Sequence, residues 1–109
     1  MSNIYETTMI VKPDLSNDQV KNLTNSLEGF FNESSIVIGY REDWGIKNLK
    51  FSINKYSKGS FKFIRFKADS YFPKKLDNFL KFNSDCLRFL TIKSNNELEE
   101  ATPQINKDN

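Results

Sequence analysis

The chain contains no histidine, one cysteine (Cys86), three prolines and four glycines among its 109 residues. Without a second cysteine a structural disulfide within the chain is excluded, and without histidine so are a Cys/His zinc site and an imidazole base. The glycines stand apart at 29, 39, 45 and 59, so no glycine-rich loop is available to cradle a phosphate. No stretch approaches the roughly 20 apolar residues that span a bilayer, and no basic region precedes an apolar one at the start. The expectation is a soluble, intracellular protein.

What the chain does have is 38% hydrophobic and 14% aromatic residues, with ten phenylalanines, which suits one compact domain. Net charge is only +2, but the charges are segregated. Residues 1–40 carry −3, residues 41–75 carry ten basic against three acidic residues for +7, residues 76–93 carry +1, and residues 94–109 carry −3. An anionic partner would therefore dock on the middle of the chain.

Ile4 to Val11 alternates bulky and polar residues and is closed by Pro13, as a strand would be. Ser16 with Gln19 forms a capping box, and Val20, Leu23, Leu27, Phe30 and Phe31 follow at helical spacing, predicting a helix over about 16 to 33. Residues 35–54 carry apolar side chains mostly spaced by two, predicting a long kinked strand with Gly39 and Gly45 at bulges or bends. Lys55 to Gly59 reads as the turn of a hairpin, and Phe61 to Ala68 as its returning strand. Pro73, Leu76, Phe79 and Leu80 predict a short helix, and Cys86 to Lys93 a last strand. Residues 94–109 are polar and acidic, with Glu97, Glu99 and Glu100, and read as a disordered tail after a domain spanning 1–93.

The order β-α-β-β-α-β is that of the split β-α-β, or ferredoxin-like, α+β sandwich: four antiparallel strands with both helices on one face. Aromatics fall on both faces of the hairpin's second strand. The face carrying Phe61 and Phe63 would be left open as a binding surface. Lys58 to Phe66 matches the RNA-recognition signature only weakly, with one residue extra and the first aromatic displaced, and a basic turn before a Phe-rich core strand is the favoured reading of the same residues.

Catalytic candidates are thin. Glu6 and the Glu42-Asp43 pair read as structural or solvated carboxylates, because neighbours on a strand point to opposite faces and form no dyad. Cys86 reads as a small core residue.

At Arg41-Glu42-Asp43-Trp44-Gly45 the chain resembles the bacterial family known as the sixth protein of the small ribosomal subunit. Tyr5-Glu6, Val11-Lys12-Pro13-Asp14, Trp44-Gly45, Leu49, Ile53-Asn54-Lys55, Lys81-Phe82-Asn83 and Leu87-Arg88 stand in that family's order over residues 3–93. The resemblance implies a non-enzymatic component of the small subunit that needs no cofactor or small-molecule substrate. It further implies binding to the central domain of the ribosomal RNA together with the eighteenth small-subunit protein. Carried over by position, Lys47, Lys55, Arg88 and Lys93 become candidate phosphate contacts, to which charge alone adds Lys50 and Lys58.

Two positions depart from the family pattern: Ile46-Lys47 stands where two basic residues are common after Trp-Gly, and Ser52 where proline is common. They shift weight toward the protein partner, with Trp44, Ile46, Phe61 and Phe63 as candidate interface residues. For Trp44, hairpin packing and partner contact both remain open. The alternative function is a free single-stranded RNA module that stacks bases on Phe61 and Phe63. A ferredoxin-like enzyme built on the carboxylates is the remote third.

Overall fold

The computed structural model describes residues 2–94 of the chain. The tail expected over 94–109 lies outside the described residues apart from Ser94, whose backbone N–H donates to Ile4 O at 2.7 Å. Elements follow in the expected order: β1 (Ser2–Val11), α1 (Asn17–Glu33), β2 (Ile38–Ile53), β3 (Tyr56–Asp69), α2 (Phe72–Lys81) and β4 (Cys86–Lys93). The strands form one antiparallel sheet in the order β2-β3-β1-β4, which is the ferredoxin-like arrangement.

Each helix starts where local chemistry provides for its free N–H groups. Ser16 Oγ accepts from Gln19 N at 3.2 Å while Gln19 Oε1 accepts from Ser16 N at 2.8 Å, completing the capping box. At α2 the Asp69 carboxylate accepts from the backbone of Tyr71 and Phe72 at 2.9 and 3.0 Å, with Pro73 in the first turn. The apolar stripe of α1 delivers Leu27 and Phe31, that of α2 Phe72, Leu76 and Leu80, onto Tyr5, Met9 and Val11 of β1 and Ile64, Phe66 and Ala68 of β3. At the centre Phe31 meets Phe66 and Phe72 edge-on, each with ring centroids 5.0 Å apart. Thr7 is buried within this face and hydrogen-bonds its hydroxyl to that of Thr91 at 2.7 Å.

The hairpin turn lies elsewhere than the sequence suggests. Asn54 and Lys55 alone make it, at φ 49° and 73°, and Tyr56 to Gly59 belong to β3. A two-residue turn with both φ values positive matches the twist of the flanking strands, and asparagine is among the residues that adopt such angles most readily. Gly59 is needed in the strand for a packing reason. A Cβ there would stand 2.3 Å from Ile10 Cγ2 on the neighbouring strand.

β1 pairs only with residues 60–69 of β3, so β2 and β3 beyond that point form a two-stranded arm projecting past the four-stranded sheet. Gly59→Ala should lower the unfolding free energy by about 1–3 kcal/mol through overpacking. In an Ile10→Ala background the loss should largely vanish, as denaturant midpoints of the four proteins in the cycle would show.

Candidate nucleic-acid interface

The sequence from Tyr40 to Lys47 builds the open face of the sheet at the root of the arm. Glu42 opposes Phe63 in the ladder and Asp43 opposes Lys62, but the next pair is Gly45 with Phe61, so Trp44 is an extra residue. This is a β-bulge, and Gly45 takes the positive φ of 80° that such a site favours in glycine. Asp43 stabilises it from both sides, its Oδ1 accepting from Gly45 N at 2.9 Å and its Oδ2 from Lys62 Nζ at 2.9 Å. Partial burial opposes the charged form of Asp43, but the Lys62 hydrogen bond and the Gly45 N–H prevail and hold its pKa below the ordinary 3.8.

Beyond the bulge the alternation of side chains is inverted. Trp44 lies on the open face, stacked on Phe63 at 5.6 Å and 11° between planes. Lys47 then falls on that same face, with Nζ 5.4 Å from the Trp44 ring centre and 5.8 Å from that of Phe61. Ile46, expected beside these aromatics, instead pairs with Ser60 on the face that carries Ile64 and Phe66, where it stays 57% exposed. The four candidate interface residues are therefore three on one face and one on the other. The bulge is the cause.

A polar network covers the rest of this face. The Glu42 carboxylate accepts from Tyr40 Oη and, at 2.6 Å, from Trp44 Nε1. Burial and this hydrogen bond to an anion raise the Tyr40 pKa above its ordinary 10.0. Arg65 spans Tyr40 and Phe63 and donates from Nε and Nη2 to Glu6 Oε2 at 3.1 and 2.9 Å. Glu6 and the Glu42-Asp43 pair are thus structural carboxylates, and the pair is split between faces as strand geometry requires. Phe63, under Trp44 and Arg65, is only 7% exposed and presents no surface on which a base could stack. That removes one of the two platforms required by the free RNA-module reading.

The structure brings most of the candidate cations together. Lys47, Lys50, Lys55 and Lys58 all lie on the exposed arm, and none joins an ion pair among the described residues. Arg88 pairs with Ile10, which pairs with Phe61, so it shares their cross-sheet row at the arm's root, roughly 10 Å away at the usual strand spacing. Lys93 is not part of this group. It pairs with Tyr5 toward the other end of the sheet, in register with the helix-covered face. By contrast Lys62 and Arg65 are already neutralised by Asp43 and Glu6.

Sequence reasoning missed Leu90 and Ile92. They pair with Thr8 and Glu6 on the open face and are 64% and 50% exposed. β4 is apolar on both faces, so alternation alone gave no sign of which set the helices leave uncovered.

Nothing in this arrangement is set up for covalent or metal chemistry. Burial pushes the Cys86 thiol from 9.0 up to about 11 against a weak hydrogen bond to Arg88 O, so it is no ready nucleophile. Among the described residues no group of three or more Cys, Asp or Glu side chains is placed to hold a metal, and no helix is long and apolar enough to cross a membrane.

Asp43→Asn keeps an acceptor for Gly45 and removes only the charge. A carboxylate whose pKa is lower folded than unfolded stabilises the fold above its unfolded pKa and loses that contribution as pH falls. The variant should therefore melt below the natural protein near neutrality. The gap should close on acidification through the carboxylate range, as thermal melts across pH would show.

Comparisons with known proteins meet this geometry. A family model described as ribosomal protein S6 matches residues 4–93. The chain is 29% identical over 104 residues to the small ribosomal subunit protein bS6 of Geobacter sulfurreducens, covering 95% of this chain and 89% of that one. It is 31% identical over 104 residues to the bS6 of a Ruegeria species, with the same coverage. The crystal structure of 30S ribosomal protein S6 from Thermotoga maritima superposes with a TM-score of 0.78 at 23% identity, over 86% of this chain and 89% of that one, which establishes the shared fold. The chain belongs to the ribosomal protein S6 family, and is accordingly a structural, non-enzymatic constituent of the small ribosomal subunit, found in the cytoplasm with the ribosome.

Proposed function

We propose that the β2–β3 arm docks this chain on the central domain of the small-subunit ribosomal RNA, while the open sheet face holds the eighteenth small-subunit protein. The observation that carries the RNA half is the charge of the arm. Between Asp43 and Asp69 there is no acidic residue, and Lys47, Lys50, Lys55 and Lys58 stand there without carboxylate partners among the described residues. A lysine already held by a carboxylate gains little from a phosphate; none of these four has a carboxylate to exchange among the described residues. Each lysine that neutralises a phosphate releases counterions, which supplies affinity and positioning rather than base readout. Arg88 extends the same field to the root of the arm.

For the protein half the support is the mixed character of the open face. Trp44, Phe61, Leu90 and Ile92 offer apolar area, while Glu6, Glu42 and Arg65 offer hydrogen-bonding groups that neighbours already hold in place. An apolar patch among fixed polar groups is the usual anatomy of a protein–protein contact.

Replacing Lys55 and Lys58 by Gln should reduce the slope of log K against log salt by about 1 per lysine, measured on a transcript of the RNA central domain. Leu90→Asp should abolish capture of the purified eighteenth protein and leave that slope unchanged. An unchanged slope in the lysine variant would overturn the RNA half, and unchanged capture by Leu90→Asp the protein half.

A further inference from the structure

We infer that Phe51 is a base-stacking residue: its exposed ring on the basic arm takes the face of an unpaired nucleobase in the RNA that the arm's lysines approach. The inference rests on the RNA-docking reading above and deepens it, since lysines alone give attachment without fixing a position along the strand.

Phe51 is 82% exposed although it lies within a strand of a Phe-rich protein. Its backbone explains how it comes to be outside. The ladder runs regularly from Gly45 to Asn48 against Phe61 to Lys58, and then Leu49 to Ser52 stand opposite Ser57 alone before Ile53 pairs with Tyr56. The strand therefore bellies out at Phe51, which has no cross-strand partner in register. Among the described residues its ring makes no contact with another ring or with a cation, in contrast to Phe61 beneath Lys47 and Phe63 beneath Trp44. Of the three phenylalanines on the open face and arm, the one that sequence reasoning passed over is the one with a free face.

The setting favours a nucleobase over a protein pocket. Lys50 precedes Phe51, Lys55 stands in the turn and Lys58 on the other strand, with no acidic residue in the arm. Lysine is depleted at the centre of protein interfaces, whereas aromatic rings among lysines that follow a phosphate backbone are how single-stranded nucleic acid is held. A phenyl ring offers one flat face at little entropic cost. Any base can stack on it.

The test measures binding of the full chain to the central-domain transcript at fixed salt and across a salt series. Phe51→Leu keeps the apolar volume and removes the flat ring, and should weaken binding by about 5- to 150-fold with the salt slope unchanged. Phe51→Trp should bind as well as the natural chain or better. A melting curve checks that each variant is folded, which an exposed site should allow. Binding of Phe51→Leu within twofold of the natural chain, while Lys55→Gln with Lys58→Gln still lowers the slope, would overturn this inference and leave the docking reading intact. An unchanged slope in the lysine variant would remove the docking reading and this one with it. If Phe51→Leu instead lost only capture of the eighteenth protein, the ring would be a protein contact and the inference would fall.

Discussion

The bulge at Trp44-Gly45 is the constraint on which the functional half of the molecule depends. One extra residue in β2 inverts the alternation of the side chains from Gly45 to Asn48, so Lys47 joins Trp44 on the open face and Ile46 is turned away. The bulge is held by short, local interactions: a glycine at φ 80°, the Asp43 carboxylate on the Gly45 N–H, and Trp44 anchored by Phe63 below and Glu42 beside it. Each is worth only on the order of 1 kcal/mol. Together they fix a geometry in which the arm leaves the sheet with its lysines unpaired by carboxylates among the described residues. The four consecutive residues Glu42-Asp43-Trp44-Gly45 that carry the family resemblance thus each have a structural task at this one corner.

From that corner the molecule divides its labour. The helix-covered face is an apolar core of Phe31, Phe66, Phe72, Leu76 and Leu80, which supplies most of the driving force for folding. The charged groups at the root of the arm are paired, Arg65 with Glu6 on the open face and Lys62 with Asp43 on the helix-covered one, whereas the four lysines of the arm join no ion pair among the described residues. Net charge of +2 conceals this arrangement. What an RNA would meet is an arm of like charge projecting from a nearly neutral body, and electrostatic attraction would therefore favour one orientation of approach.

Much of this was legible in the sequence, for physical reasons that also mark where legibility ends. α1 was visible because its capping box and its apolar spacing are both local, and β1 because its alternation runs unbroken to Val11 and the proline beyond. Gly59 misled because glycine in a polar stretch signals a turn, whereas its role depends on Ile10, distant in sequence. The face of Ile46 was misjudged because counting by two does not register a bulge, even where Gly45 hints at one. Phe63 looked like an open platform because nothing along β3 shows that Trp44, on another strand, lies over it. Charge segregation, a property of composition rather than of folding, located the candidate docking region directly, but it could not separate the free lysines from the paired Lys62 or set Lys93 apart from the arm.

The central claim is that the β2–β3 arm, and not the helix layer, is the surface turned to RNA. Amine-acylation footprinting read by mass spectrometry, comparing the free protein with assembled small subunits, tests it most directly. Lys47, Lys50, Lys55 and Lys58 should lose reactivity on assembly while Lys21 of α1 and Lys74 of α2 keep theirs. Continued reactivity of the arm lysines with protection of Lys21 and Lys74 would contradict the account.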